Sequence, residues 1–262
     1  MSERPLEEQI RVETRDQVRW LVLDRPESRN ALTLDAVDFL NGLLQGAAED
    51  PAVRVLVLAG AHGAFCSGID LKVASRTPDW DVLDGLARFQ SLARALDAVM
   101  KPTIAAIDGP AAGFGADLAF GCDLRLACET ALIGTRFIRI GLMPDGGGTW
   151  FLPRLVGLGK AYELMYSGRM VGAEEAERIG LVNQVLPREG FLEAVQRYAA
   201  HLAEGPPLAF ARVKEALKRQ PGDLHEGLEM EAAGQRDLLG SRDFLEGVQA
   251  FLEKRKARFE GR

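Results

Sequence analysis

The sequence lacks several features that would assign it to a particular class of protein. No apolar run approaches the roughly 18 residues of a membrane-spanning helix. The N-terminal segment, residues 1–8, has no apolar stretch, so we expect no secretory signal. The three cysteines and three histidines of the chain are scattered without metal-ligand spacing, so we predict no metal site. We expect the protein to lie in a reducing cytoplasm.

An excess of positive charge is also missing. The net charge is -6, which disfavours a nucleic-acid partner, and we expect no membrane partner either. The composition, 47% hydrophobic and 27% charged, is ordinary for a soluble globular protein. A length of 262 residues suits one large domain, or one domain with an appendage.

What the sequence does contain is a glycine-rich turn at residues 107–117. It follows the apolar run Thr103–Ile107, which predicts a buried strand, and it leads into a helix. Gly113 and Gly115 allow a close backbone approach, and free N–H groups at a helix start can hold an anion or an oxygen that becomes one. A dinucleotide loop is excluded, because Leu118 stands where G-x-G-x-x-G needs its third glycine. A tight packing turn remains the alternative.

A second stretch repeats this arrangement. The apolar run Val53–Ala59 predicts a buried strand, and it leads to Ser67–Asp70, which contains Gly68. Two convergent N–H donors stabilise a carbonyl oxygen that gains charge, and loss of one typically costs about 3 kcal/mol of barrier. The two stretches together therefore favour an oxyanion-binding site over a packing turn.

The order of the predicted elements indicates an α/β fold, because strands and helices alternate. Further strands are predicted at Val18–Leu23, Leu124–Cys128 and Leu181–Leu186, with helices at about 33–48, 86–99, 159–167 and 173–179 and a mobile loop at 75–85. The apolar segments 132–134 and 138–142 are too short to assign. After about residue 190 only helical periodicity remains. We therefore divide the chain into a core, 1–190, and a C-terminal helical region, 191–262, whose apolar faces favour packing on a neighbouring subunit.

Several motifs occur in an order that resembles the crotonase (enoyl-CoA hydratase/isomerase) superfamily. They are Asn30–Leu32, Ala64–Leu71, Gly109–Gly115, Ile140–Gly148, Pro153–Gly157 and Phe251–Arg255. The resemblance extends from about residue 12 to the end. It implies a spiral of ββα turns, a C-terminal helical region that mediates trimerisation, and often a dimer of trimers. The implied chemistry is stabilisation of the enolate of an acyl-CoA thioester, with coenzyme A as part of the substrate and no separate cofactor.

The resemblance also assigns roles to residues of this sequence. The backbone N–H groups of Ile69 and Phe114 correspond to the two oxyanion donors. The two glutamates of the hydratases correspond to Asp117 and Phe137, so the second acid is missing and Phe137 is expected to line the acyl pocket. Asp145 stands where several isomerases of the family have a catalytic aspartate.

The run Phe137–Pro153 is similar to the 1,2-epoxyphenylacetyl-CoA isomerase branch, although that branch usually lacks an acid at position 117. For coenzyme A, the resemblance implies contacts from Arg25, Phe251 and Lys254, the last two commonly from a neighbouring subunit. Without the family spacing, Lys254 would be read as a solvated surface residue and Phe251 as a core residue.

Other roles remain open for the two acids and their neighbours. Asp145 could cap the helix that opens at about Gly146, and Asp117 could pair with an arginine such as Arg125. If both acids face one pocket, their mutual repulsion should raise one pKa. Cys66 is interpreted as a packed thiol, and His62 as a solvated turn residue.

Three functions follow. The first is an enoyl-CoA isomerase, acting by double-bond or epoxide isomerisation, in which Asp145 carries the proton. The second is an enoyl-CoA hydratase in which Asp117 and Asp145 together replace the glutamate pair. The third is a non-catalytic or RNA-binding member of the family, which the net charge of -6 and the intact oxyanion motifs disfavour.

Overall fold

The computed structural model describes residues 4–74, 82–219 and 221–262. Its strands are β1 (Ile10–Arg15), β2 (Val18–Leu23), β3 (Val55–Gly60), β4 (Thr103–Ile107), β5 (Pro110–Ala112), β6 (Leu124–Cys128), β7 (Leu132–Gly134), β8 (Val171–Gly172) and β9 (Gln184–Leu186). Its helices are α1 (Leu6–Gln9), α2 (Leu34–Glu49), α3 (Leu71–Ala74), α4 (Val82–Ala98), α5 (Phe114–Gly121), α6 (Gly148–Val156), α7 (Leu158–Ser167), α8 (Ala173–Arg178), α9 (Phe191–Ala203), α10 (Pro207–Arg219), α11 (Leu224–Leu239) and α12 (Arg242–Glu253). Short 3₁₀ helices lie at Pro26–Ser28 and Arg136–Ile140.

The main sheet has the strand order β1-β2-β3-β4-β6-β9. β1 and β2 form an antiparallel hairpin, and the remaining neighbours are parallel. Central strands are apolar on both faces, because helices cover both. In β3, Leu56 and Leu58 face α2 and α4, whereas Val55 and Val57 belong to the cluster that α9 covers.

A smaller sheet, with the order β5-β7-β8, accompanies the main one. The chain therefore repeats one unit: a long strand in the main sheet, a short strand beside it, and a helix. The unit β4-β5-α5 is complete, and in the preceding unit the short strand is reduced to a single bridge between Cys66 and Ala111. This repetition is the spiral of ββα turns that the motifs predicted.

Most predicted elements lie where the pattern placed them, and Thr33 caps α2 through its side chain as expected. Of the loop predicted at 75–85, residues 75–81 lie outside the described part of the chain. Its last residues, 82–85, belong to α4, so that part of the prediction is wrong. The strand predicted from Leu181 begins only at Gln184.

The strand β1 was not predicted. Its sequence contains four charged or polar residues, and only Ile10 is buried, because the strand lies at the edge of the sheet. Its partner β2 supplies the apolar pattern that the sequence reveals. The turn between them uses Asp16 and Gln17 at φ values of 50° and 63°.

The C-terminal helices differ in how they are buried. α9 packs on the sheet through Phe191, Val195 and Ala199, and Gln196 accepts a hydrogen bond from the Trp20 indole at 2.6 Å. α10 and α11 have no fully buried residue. The division at residue 190 stays a prediction. Among the described residues, no helix is long and apolar enough to cross a membrane.

Candidate active site

The two glycine-rich loops lie side by side. The Ala112 N–H donates to the Cys66 carbonyl at 2.9 Å, and the Cys66 N–H donates to the Pro110 carbonyl at 3.1 Å. A Cβ added at Gly68, where φ is +102°, would lie 3.4 Å from the Phe114 nitrogen. The fold therefore brings the predicted oxyanion donors into one neighbourhood.

Both donor groups are available. Phe114 is the first residue of α5, so its N–H has no partner inside the helix. Leu32 is bonded to the residues on either side of Ile69: the Leu32 N–H donates to the Gly68 carbonyl, and the Leu32 carbonyl accepts from the Asp70 N–H. The Ile69 N–H therefore lies on the opposite side of the strand. Within the described part of the chain, no protein acceptor takes either N–H group.

The Phe114 side chain points into the core. It is buried, and its ring meets the Phe89 ring edge-on at 4.8 Å. A Cβ added at Gly146 would lie 2.7 Å from the same ring. The phenyl group thus supports the turn after residue 145 and leaves the backbone N–H to the site.

Asp117 is fully buried on α5, one turn after Phe114. Its Oδ2 accepts a hydrogen bond from the Gly146 N–H at 3.0 Å, whereas its Oδ1 is buried without a partner in the described chain. The alternative pairing with Arg125 is wrong: that guanidinium donates instead to the carbonyls of Leu181 and Cys122. The Asp117 side chain therefore contacts the turn that carries Asp145.

Asp145 is half-buried in the turn before α6. Its Oδ1 is enclosed and has no hydrogen-bond partner among the described residues. The alternative role as a helix cap is wrong, because Gly147 occupies the N-cap position of α6 and no side chain bonds there. A carboxylate oxygen buried without a partner in the free protein is suited to a ligand.

The environment changes the acidity of both carboxyl groups. Burial raises the pKa of Asp117 to about 8, with a further contribution from the charge of Asp145, and the backbone N–H groups around it oppose this shift. Burial also raises the pKa of Asp145. Repulsion between the acids was expected to raise one pKa, but loss of water is the larger cause. Both groups can exchange a proton closer to neutral pH than an ordinary aspartate.

Phe137 lies beside the loop that leads into Phe114. It is buried, and its ring tip would be 4.0 Å from a Cβ added at Gly113. Exposed apolar side chains follow it at Ile138, Ile140 and Leu142. The position agrees with an acyl pocket lined by Phe137, which stays a prediction.

The three predicted coenzyme A residues lie in different settings. Arg25 is buried, and its guanidinium contacts Asp70 at 3.1 Å and the Ala31 carbonyl. Phe251 is 82% exposed on α12, and Lys254 is exposed at the end of that helix. The residues around Phe251 all belong to the C-terminal region.

Sequence reasoning missed two residues that hold the loop of Ile69 in place. Asn30, at φ 60°, donates to the carbonyls of Ala61 and Ala64 and accepts from the Arg25 N–H. Asp70 accepts from Arg25 and from the Val73 N–H. Both stood inside quoted motifs, but no pattern shows that two motifs far apart in sequence share a hydrogen-bond network.

Other candidate groups have structural roles. Cys66 is a packed thiol, as expected, and burial raises its pKa to about 12. The exposed His62 lies 3.0 Å from Asp24. In the described residues no cluster of histidine, cysteine and acidic side chains could hold a metal ion.

Comparison with known proteins gives matches over nearly the whole chain. A sequence profile of the enoyl-CoA hydratase/isomerase family matches residues 13–262. A probable enoyl-CoA hydratase of Rhodobacter capsulatus is 41% identical over 256 residues, which cover 97% of this chain and 98% of that protein. The 1,2-epoxyphenylacetyl-CoA isomerase of Escherichia coli is 36% identical over 250 residues, which cover 94% of this chain and 95% of that protein.

Solved structures give the same result. The crystal structure of an enoyl-CoA hydratase from Bacillus anthracis superimposes with a TM-score of 0.93 at 36% identity. The match covers 97% of this chain and 100% of that one. The proteins that this chain resembles thus include both hydratases and an isomerase.

Proposed function

The chain belongs to the enoyl-CoA hydratase/isomerase family and has the crotonase fold, as its motifs predicted, and from this premise we propose that it isomerises an enoyl-CoA thioester with Asp145 as the proton-carrying group. It is an enzyme of acyl-CoA chemistry. The observation that carries the isomerase proposal is the Asp145 Oδ1, which is buried without a partner in the described chain.

In this reaction Asp145 removes a proton from the α-carbon of a 3-enoyl-CoA. The electron pair of that C–H bond forms a double bond to the carbonyl carbon, and the π pair of the carbonyl moves onto the thioester oxygen, which gives a dienolate. The N–H groups of Ile69 and Phe114 bind the developing charge. When the carbonyl re-forms, the electron pair of the β,γ double bond takes the proton back from Asp145 at the γ-carbon, so the double bond has moved to the α,β position and no water has been consumed.

The acidity of Asp145 suits this task. A group that takes and returns one proton works best when its pKa is near the working pH. Burial raises the pKa of Asp145 in that direction. Phe137, where the hydratases have their second acid, offers no carboxylate to activate water, which favours isomerisation over hydration.

Hydration is the second candidate, favoured by Asp117. Its Oδ1 is also buried without a partner in the described residues, and a pKa of about 8 keeps a proton on the carboxyl at neutral pH. Asp117 could then donate that proton to the α-carbon while Asp145 activates water. We rank this second, because the Asp117 Oδ2 is already engaged with the Gly146 N–H.

We further propose that coenzyme A is bound as part of the substrate, without a separate cofactor, in a homotrimer or a dimer of trimers. Phe251 and Lys254 on α12 would contact the nucleotide of a neighbouring subunit. Their exposure on a single chain supports this arrangement, because a residue that serves another subunit need not be covered by its own.

The experiment that tests the proposal compares two reactions of the purified protein. Double-bond migration in a 3-enoyl-CoA is followed by the absorbance of the conjugated product, and water addition to a 2-enoyl-CoA by loss of that absorbance. We expect migration to be faster. Faster hydration would replace the isomerase proposal with the hydratase one.

A further inference from the structure

The Ile69 N–H is aimed by a short pairing between two loops. The Leu32 N–H donates to the Gly68 carbonyl at 2.8 Å, and the Asp70 N–H donates to the Leu32 carbonyl at 2.9 Å. Successive N–H groups of an extended chain point in opposite directions. With the N–H of Asp70 fixed toward Leu32, the Ile69 N–H faces away from Leu32, and the preceding residue is close to Phe114, whose nitrogen would lie 3.4 Å from a Cβ added at Gly68.

The Arg25 side chain connects the two backbone segments of this pairing. One guanidinium nitrogen donates to the carbonyl of Ala31, the residue before Leu32, and another contacts the Asp70 Oδ2 at 3.1 Å. Asp70 directly follows Ile69. A planar guanidinium can bridge two fixed acceptors at once, which an ammonium on a flexible chain does less well.

The Arg25 backbone is itself fixed by the Asn30 side chain. Its backbone N–H donates to the Asn30 Oδ1 at 2.8 Å, and the Asn30 amide donates to the carbonyls of Ala61 and Ala64 at 3.0 and 2.7 Å. The Arg25 and Asp70 side chains are both only 9% exposed. Little of the guanidinium is left for a phosphate in solvent, although direct contact with coenzyme A was its predicted role.

We propose that Arg25 and Asp70 are positioning residues that hold the Ile69 N–H in line with the Phe114 N–H. This inference rests on the proposed oxyanion site, but it does not depend on whether the enzyme isomerises or hydrates. A donor displaced by about 1 Å can cost on the order of 100-fold in rate. Loss of the pair should therefore weaken enolate stabilisation more than binding of the thioester.

The test uses acetoacetyl-CoA, a 1,3-dicarbonyl thioester whose enolate has its own ultraviolet absorbance. Titration of the full-length protein gives both the affinity and the ratio of enolate to ketone in the bound ligand. Arg25→Lys keeps the charge but not the bridge, and Asp70→Asn keeps the shape but not the charge. We expect each to lower the enolate ratio about 10- to 100-fold, with little change in the affinity for the ketone form of the ligand.

Two further measurements complete the design. Because both variants break one pair, the double variant should lose little more than either single one. Arg19→Lys is the matched control, since Arg19 pairs with Asp50 at 2.9 Å near the opposite end of β2. It should leave the enolate ratio unchanged, and circular dichroism should show all variants folded.

The outcomes separate this inference from the proposed function. If Arg25→Lys and Asp70→Asn weaken binding and leave the enolate ratio intact, Arg25 contacts coenzyme A and the positioning role is wrong. Should Arg25→Lys not fold, Asp70→Asn alone decides between the same two results. If the unaltered protein neither binds nor enolises the ligand, the proposed oxyanion chemistry fails, and the inference fails with it.

Discussion

The Asp117 Oδ2 accepts a hydrogen bond from the Gly146 N–H at 3.0 Å, which ties α5 to the turn that carries Asp145. The same helix begins at Phe114, one of the two proposed oxyanion donors. One short helix thus aligns the N–H group proposed to bind the enolate oxygen with the turn that holds the proposed base. In the proposed mechanism, this contact sets the distance between the proton-carrying group and the oxyanion donor.

The glycines of that turn make the close approach possible. A Cβ added at Gly148 would lie 2.2 Å from the Asp117 Oδ1. We expect Gly148→Ala to lower the free energy of unfolding by about 1–3 kcal/mol, as overpacking does, and to reduce turnover by moving Asp145. Thermal melting and steady-state kinetics measure the two effects.

Gly46→Ala is the control for this substitution. Gly46 lies inside α2 with nothing within 4 Å of an added Cβ, so alanine should stabilise the helix by about 0.5–1 kcal/mol. Turnover should not change. Equal effects of the two substitutions would show that the Gly148 turn does not depend on close contact with Asp117.

The raised pKa of Asp117 predicts a pH dependence of stability. Its ordinary value is 3.8 and its value in the folded protein is about 8, so the folded state favours the protonated form. The stability from this group is fully present below pH 3.8 and is lost as the pH rises through about 8. Asp117→Asn cannot ionise, so its stability relative to the unaltered protein should increase with pH across this window.

Urea denaturation of both proteins at several pH values measures the difference. Groups that do not interact with Asp117 titrate alike in both proteins and cancel in the comparison, whereas Asp145 is coupled to Asp117 and contributes to the measured difference. A difference that stays constant from acid to mildly alkaline pH would mean that Asp117 ionises in the folded protein as it does in the unfolded chain.

Lys254 is expected to contact the anionic nucleotide of the substrate. Lys254→Ala should weaken coenzyme A binding by about 1–2 kcal/mol, the size of a charge-assisted hydrogen bond. Isothermal titration calorimetry gives the value, and Lys160→Ala, which removes a surface lysine of α7 paired with Glu163, is the control. Unchanged affinity in Lys254→Ala would remove this residue from the site.

The C-terminal helices predict self-association. Leu217, Leu245 and Phe251 are 72%, 64% and 82% exposed on a single chain, an apolar surface of the kind that subunits cover. Sedimentation velocity at micromolar concentration should find trimers or larger species. A stable, folded monomer would contradict this expectation.

The sequence predicted the parts of the fold that local pattern determines. The largely apolar runs of β4 and β6, the second interrupted by Arg125, predicted the observed limits of both strands, because strands covered on both faces are rich in apolar residues. Local pattern failed for the edge strand β1, whose charged residues face solvent. It also failed for the start of α4, which lies four residues earlier than the predicted Leu86.

At the candidate site, too, the sequence predicted individual residues better than it predicted the contacts between distant segments. Resemblance identified Ile69, Phe114, Asp117 and Asp145, and the fold brings their loops together. The contacts of Asp117 with Gly146 and of Arg25 with Asp70 could not be predicted, because the partners are 29 and 45 residues apart in sequence. Arg125 was a reasonable partner for Asp117 by charge, but its guanidinium serves backbone carbonyls instead.

The central claim is that Asp145 carries the proton, and one pair of variants tests it most directly. Turnover in 3-enoyl-CoA isomerisation is compared for Asp145→Asn and Asp117→Asn, with coenzyme A affinity measured for both. A positioned base is worth on the order of 100-fold or more, so Asp145→Asn should lose at least about 100-fold in turnover and keep its affinity, and Asp117→Asn should lose less. An inactive Asp117→Asn beside an active Asp145→Asn, with hydration the faster reaction of the unaltered protein, would contradict the account.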